Sequence, residues 1–219
     1  NESTKFYWRR KMVAVALKGA ARVISVCHDL KTKIIKLGVP AEKVTVVFHG
    51  VDRDLFQLRD KDECLRALNI PNGKKVILYV GHLRSVKGPH ILAESFEGLL
   101  REGCDEALLV IIGEGPLKAS LEAKVRAFPD PSKVMIKGPV SHEEIPIWMN
   151  AADLLCLPSL SEGLPNVILE ALACGLPIVA TEVGDVSLVL SPIPNRWLVP
   201  PGSPARLKEA LAEALNHKS

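Results

Sequence analysis

Glu162 and Glu170 stand eight residues apart around Gly163-Leu164-Pro165-Asn166, between an apolar run and a helical tract. Carboxylates placed in this way can accept hydrogen bonds from the hydroxyls of a ligand. The helix start between them carries N–H groups with no partner inside the helix, and such groups attract an anion. Spacing alone decides little, because Glu94/Glu102, Glu106/Glu114 and Glu114/Glu122 share it. Context is more informative. Glu162 follows a strand end, Gly163 allows close approach of a ligand, and Pro165 fits the first helical position, where a missing N–H costs nothing. Glu170 lies one to two turns further on, at about 1.5 Å of rise per residue. The pair can therefore bracket a ligand as long as a sugar, a diphosphate and a ribose. It would defeat itself if both carboxylates touched phosphate. It works if they take sugar hydroxyls while backbone amides and cations hold the phosphate. A helix-dipole glutamate beside a solvated one fits the same residues.

The cations are found in a second segment, Gly81-His82-Leu83-Arg84-Ser85-Val86-Lys87-Gly88. Arg84, Lys87 and, when protonated, His82 between two glycines suit a diphosphate, since glycine admits the ligand to the backbone and Lys or Arg neutralises phosphate charge. A loop of solvated cations reads the same way. Other signals are weaker. Gly113-Glu114-Gly115 follows a strand, but Lys118 occupies the third glycine position of a dinucleotide fingerprint. There is no P-loop, G-x-S-x-G or H-E-x-x-H sequence. The six histidines do not pair at metal-ligand spacing, and no metal site is expected.

These residues need a scaffold, and the chain alternates to supply one. The runs 76–80, 108–112, 134–137, 154–157 and 178–180 are short and apolar. Helical tracts near 89–101, 117–127 and 142–150, from about Pro165, and near 204–217 intervene or follow. Gly175 closes the fourth of these tracts as a C-cap. Continuous apolar strands separated by helices indicate a parallel sheet covered on both faces. The fold class is therefore α/β, a doubly wound parallel, Rossmann-like sheet whose ligand lies beyond the carboxyl ends of the strands. Both site segments follow such ends. Residues 1–56 read differently, as a basic helical tract (5–20), a strand (22–27), a helix (29–37) and a second strand (43–48). These strands either extend the main sheet or end a preceding domain, since two strands alone are marginal. The polar stretch from Val51 to Gly73 reads as a linker, and the domains are divided as 1–56 and 57–219.

Composition excludes several classes. With 47% apolar and 24% charged residues the chain is globular, not disordered or fibrous. No apolar run approaches the roughly 20 residues of a membrane-spanning helix, and the start of the chain lacks the apolar core of a signal peptide. It also lacks an initiator Met, which suggests a piece of a longer protein. Five cysteines without a C-x-x-C pair suit reduced, mostly buried thiols and a cytoplasmic setting. Net charge is +3 overall, but residues 1–50 carry 10 Lys/Arg against 3 Asp/Glu. That basic end suits a solvated face, an anionic membrane surface or nucleic acid; the scarcity of interleaved aromatics counts against nucleic acid.

Taken together, the motifs resemble those of retaining, nucleotide-sugar-dependent glycosyltransferases of the two-Rossmann GT-B fold, in the large group 1 family. The family pattern E-G-x-x-x-x-x-x-E, followed by A-x-A-x-G-x-P-V, is matched by Glu162 to Glu170 and then Ala171-Leu-Ala-Cys-Gly175-Leu-Pro177-Ile178. Gly81 to Gly88 resembles its diphosphate turn, residues 111–116 its second-strand turn, 151–159 the strand before the motif, and 44–52 its hinge strand. The resemblance implies the C-terminal half of a GT-B enzyme, with only the last elements of the N-terminal acceptor domain before it. It implies transfer of a sugar from a nucleoside diphosphate sugar to a hydroxyl acceptor, carbohydrate or lipid-linked, with retention and without a cofactor. A non-catalytic nucleotide-sugar-binding module is the alternative. By the same resemblance Glu162 lies near the donor sugar as the catalytic candidate, and Glu170 binds ribose hydroxyls. Gly163, Leu164, Pro165 and Asn166 then face sugar and phosphates. Gly81, His82, Arg84 and Lys87 hold the diphosphate, and Val140 meets the base. A cytoplasmic enzyme, at the inner membrane face where the acceptor is a lipid, is expected. The chain departs from the pattern at His82, where Arg is usual, at His49 in place of a common Asn, and in residues 183–190.

Overall fold

An apolar strand in the middle of a sheet must bury side chains on both of its faces, and this requirement organises most of the chain. A computed structural model describes residues 2–217, with side chains from residue 8 onward except that of residue 9. By internal contact the chain forms two units, 1–49 and 50–219.

The first unit holds helix α1 (Glu2–Gly19), strand β1 (Val23–Ser25), helix α2 (His28–Lys36) and strand β2 (Val44–Val46). The two strands pair in parallel as a sheet of their own and do not join the main one. Val23, Ile34, Val39 and Val44 form their small core.

The second unit contains α3 (Lys61–Ala67), β3 (Lys75–Val80), α4 (Pro89–Arg101), β4 (Ala107–Ile112), α5 (Lys118–Val125) and β5 (Val134–Gly138). It continues with α6 (Ile145–Ala151), β6 (Leu154–Leu157), α7 (Asn166–Ala173), β7 (Ile178–Thr181), α8 (Val186–Leu190), β8 (Arg196–Val199) and α9 (Pro204–Asn216). Its six strands are all parallel in the order β5-β4-β3-β6-β7-β8. Alternate side chains point to opposite faces, and the core divides accordingly. Val76, Leu78, Val110, Ile112, Leu155 and Ile178 pack with α3, α6, α7 and α8. Ile77, Tyr79, Leu109, Ile111, Leu154 and Val179 pack with α4, α5 and α9. Each such Leu or Ile, fully buried, is worth about 1.5–3 kcal/mol. This is the expected doubly wound sheet.

Three readings from sequence need correction. Residues 51–73 are not a free linker: they carry α3, capped by Asp60 through its side chain and the Glu63 N–H (2.8 Å). Phe56, Cys64, Leu65 and Ile70 of this stretch are buried in the core. Asn150 fastens the segment, accepting from Arg59 N–H (2.7 Å) and donating to the Gln57 carbonyl (3.0 Å). Polar residues between the apolar ones concealed this helix. Pro165 is the N-cap, extended at φ −72° and ψ 131°, and Asn166 is the first helical residue. Finally, α8 and β8 were not anticipated; β8 is the sheet's outer strand, and three of its four residues are only partly buried. Such a strand shows less of the apolar run by which the inner strands are recognised. Gly175 does follow the last turn of α7 in a left-handed conformation, after the C-cap Cys174. No helix among the described residues is long and apolar enough to cross a membrane.

The strand order reverses between β3 and β6. From β3 the chain winds outward to β4 and β5, then returns to β6 and winds the other way. The connections leaving β3 and β6 therefore part to opposite faces and open a crevice at their carboxyl ends. The two turns meet closely there. Leu160 N–H donates to the Val86 carbonyl (2.8 Å), and a Cβ on Gly88 would lie 2.0 Å from the Pro158 oxygen, at a φ of +69°. Gly88→Ala is expected to destabilise the fold by about 3 kcal/mol through steric overlap and a left-handed alanine. Urea unfolding checks this, and a loss below about 1 kcal/mol would mean that the two turns are free to separate.

Candidate functional site

The crevice brings the two site segments together. Lys87, in a single 3-10 turn (Ser85–Lys87) after β3, places its Nζ 2.6 Å and 2.8 Å from the two carboxylate oxygens of Glu162 beyond β6. The Glu162 side chain is 9% exposed and that of Lys87 32%. A charge-assisted, two-oxygen contact of this kind, partly shielded from water, is stronger than a surface ion pair. Ser159 donates from Oγ to Glu162 Oε1 (2.8 Å). Thr181 at the end of β7 donates to the Ser159 carbonyl (2.5 Å). Both hydroxyl residues are buried.

The backbone around Glu162 is held from a third strand end. Asp185 N–H donates to the Gly163 carbonyl (2.8 Å). Gly184, at φ +55°, lets the chain pass where a Cβ would lie 2.3 Å from the Gly163 oxygen and 2.4 Å from that of Glu162. On the opposite side, buried Tyr79 donates from its hydroxyl to the His82 carbonyl (2.9 Å) and so ties the cationic turn to β3. Burial, and then the nearby Glu162 carboxylate, push the Tyr79 hydroxyl well above its ordinary pKa. It remains protonated as a donor.

Of the remaining candidates, Gly81, His82 and Arg84 lie in the same turn as Lys87, with the His82 and Arg84 side chains exposed. Gly163, Leu164, Pro165 and Asn166 form the passage into α7, whose first turn receives no side-chain cap. Val140 follows β5 and packs partly buried against the core. Glu170, in the second turn of α7, is half-buried, and its surroundings differ from those of Glu162. Burial raises its pKa, and the charge of His142 acts in the opposite direction. His142 also packs against Phe56, with ring centroids 5.1 Å apart. Sequence reasoning therefore found the two charged segments but missed Tyr79, Ser159, Thr181, Gly184 and His142. Among the described residues no group of three or more His, Cys, Asp or Glu could hold a metal ion.

Comparison with known proteins shows the family of the chain. The family model described as glycosyl transferases group 1 matches residues 60–219. The chain belongs to the group 1 glycosyl transferases. Residues 2–55 match a second model, glycosyltransferase family 4. Relatives of this group 1 chain include the D-inositol 3-phosphate glycosyltransferase 1 of Catenulispora acidiphila, 30% identical over 90% of this chain and 50% of the relative. The amylovoran biosynthesis glycosyltransferase AmsK of Erwinia amylovora is 32% identical over 82% of this chain and 44% of its own length. The chain thus spans about half the length of these curated relatives. The C-terminal domain of the group 1 protein LpcC from Francisella tularensis superposes with a TM-score of 0.69 at 27% identity, over 77% of this chain and 89% of that one. Anabaena HepE, solved with UDP and glucose, gives a TM-score of 0.80 over 90% of this chain and 54% of its own. At 23% identity it shows the shared fold alone.

The raised pKa of Glu170 fixes the sign of a pH effect. Where the folded pKa lies above the unfolded one, the native state binds more protons, and stability falls as pH rises through the window between them. Glu170→Gln, which cannot ionise, is therefore expected to raise the melting temperature at pH 7. That gain should vanish as pH falls below the ordinary glutamate value of 4.5. Calorimetric melting of both proteins from pH 3.5 to 7 measures it; an offset constant across pH would mean that burial does not oppose ionisation at this position.

Proposed function

We propose that this chain binds a nucleoside diphosphate sugar and, within a full-length glycosyltransferase, delivers the sugar to a hydroxyl acceptor with retention at the anomeric carbon. The observation that carries the reading is the Lys87–Glu162 contact at the β3/β6 crevice, beside the uncapped start of α7. It puts a cation, a carboxylate and a helix start without a side-chain cap beside one another. A diphosphate takes the Lys87 ammonium, with Arg84 on the same turn adding charge from solvent and His82 offering a ring N–H. The helix start and the Gly163–Asn166 backbone stabilise the negative charge that builds on the leaving diphosphate. Glu162, released by Lys87, accepts from a hydroxyl of the donor sugar. Glu170 accepts from the ribose, and Val140 borders the base. The crystal structures of HepE with UDP and with UDP-glucose support a donor of this class in this fold. The acceptor, a carbohydrate or a lipid-linked sugar at a cytoplasmic membrane face, belongs to the whole protein.

Titration calorimetry with UDP, GDP and ADP tests the reading directly. One of the three is expected to bind, with Lys87→Ala weakening it roughly 10- to 100-fold, as for loss of a charge-assisted contact. Glu170→Ala should weaken it about tenfold through the ribose. Absence of binding by all three at millimolar concentration, or binding indifferent to both substitutions, would refute the assignment.

A further inference from the structure

The donor reading leaves a question about Glu162, and the inference that follows rests on that reading. When Lys87 turns to the diphosphate, the carboxylate loses the one cationic contact it has among the described residues, yet it must keep one direction to meet a sugar hydroxyl. Three observations bear on this. Lys87 reaches both carboxylate oxygens, at 2.6 Å and 2.8 Å. Ser159 reaches only Oε1, at 2.8 Å. Ser159 is 0% exposed, and its carbonyl is itself held by the hydroxyl of Thr181, which is 2% exposed.

We infer that Ser159 is a positioning residue that anchors Glu162 through Oε1 and leaves Oε2 as the oxygen offered to the donor sugar. Thr181, acting through the Ser159 carbonyl, fixes the anchor to the end of β7. The chemistry favours this division of labour. A lysine ammonium on a flexible stem can exchange one oxyanion for another with little rearrangement. A buried serine hydroxyl has no such freedom, because leaving its acceptor would strand it without a partner. The mobile donor therefore serves the phosphate and the immobile donor serves the carboxylate. Preorganised in this way, Glu162 need not be reoriented as the ligand enters. Ser159 touches neither phosphate nor nucleoside on this scheme, so its loss should be felt only by the part of the ligand that Glu162 contacts.

The test compares affinities for a diphosphate and for the corresponding diphosphate sugar in the 219-residue chain. Wild type is titrated with UDP and UDP-glucose, GDP and GDP-mannose, and ADP and ADP-glucose, and the pair that binds is carried forward. Ser159→Ala is expected to leave the diphosphate dissociation constant within about twofold and to weaken the sugar-bearing ligand roughly tenfold, the scale of one hydrogen bond to a charged group. Thr181→Val, which keeps the side-chain shape, should act in the same direction by about threefold. In a Glu162→Gln background, Ser159→Ala should cost the sugar-bearing ligand less than half of that loss, because the two residues act as one unit. If Ser159→Ala does not fold, Thr181→Val and its combination with Glu162→Gln carry the same comparison. Equal weakening of both ligands, no weakening of either, or full additivity with Glu162→Gln would overturn the positioning role. Failure of wild type to bind any of the six ligands would instead overturn the donor reading beneath it.

Discussion

The reversal of strand order between β3 and β6 is the constraint on which the candidate site depends. Two parallel strands lie side by side, and the chain leaves their carboxyl ends toward opposite faces of the sheet. The turn after β3 and the turn after β6 therefore face one another at the crevice and meet there. Everything proposed about the site follows from that. Lys87 comes from one turn and Glu162 from the other, and they can meet only because Gly88 lets the first turn settle against the Pro158 carbonyl. The third turn, after β7, then has to fit under the second, and Gly184 provides the room. Backbone packing decided by glycine thus precedes and permits the electrostatics.

Much of this architecture was legible in the sequence, for physical reasons that also explain the gaps. Inner strands such as Leu109–Ile112 and Leu154–Leu157 are buried on both faces and so appear as unbroken apolar runs. Helix α4 is flanked by a glycine and begins at a proline, which marks its start. By contrast, α3 pairs charged positions with only a few core residues, and β8 is buried mainly at Val199. Neither presents a run long enough to register. Pro165 was placed one residue too far into its helix because its fixed φ suits both the N-cap and the first turn; its ψ of 131° decides the matter.

The candidate site was legible in its charges but not in its neutral supports. Lys87, Glu162 and Glu170 stand out because charged residues beside strand ends and glycines need a reason to be there. Ser159, Thr181 and Tyr79 are hydroxyl residues inside otherwise apolar stretches, where each passes for an ordinary strand-end residue. Their significance lies in contacts between residues as far apart as Thr181 and Ser159, and sequence separation conceals it. Residues 183–190 depart from the family pattern. The structure gives two of them a clear task, since Gly184 and Asp185 support the Gly163 backbone.

The two glutamates, indistinguishable by residue type and separated by a spacing the chain repeats elsewhere, are made different by what surrounds them. Glu162 has an ammonium and a hydroxyl as donors, which compensate the burial of its carboxylate. Glu170 sits half-buried on α7, where desolvation opposes ionisation and the charge of His142 only partly offsets it. An ionised carboxylate in that position costs the free protein stability, and a ligand that supplies hydroxyl donors would relieve the cost. The same argument applies with opposite sign to Glu162, whose ion pair must be given up before a diphosphate can take the lysine. On the proposed reading one carboxylate resists the ligand and the other invites it. On the proposed donor reading, the phosphate end of the free site is held in an ion pair and the ribose end carries a desolvation cost. That reading favours a ligand carrying both groups, because neither a bare phosphate nor a bare nucleoside would satisfy both ends at once.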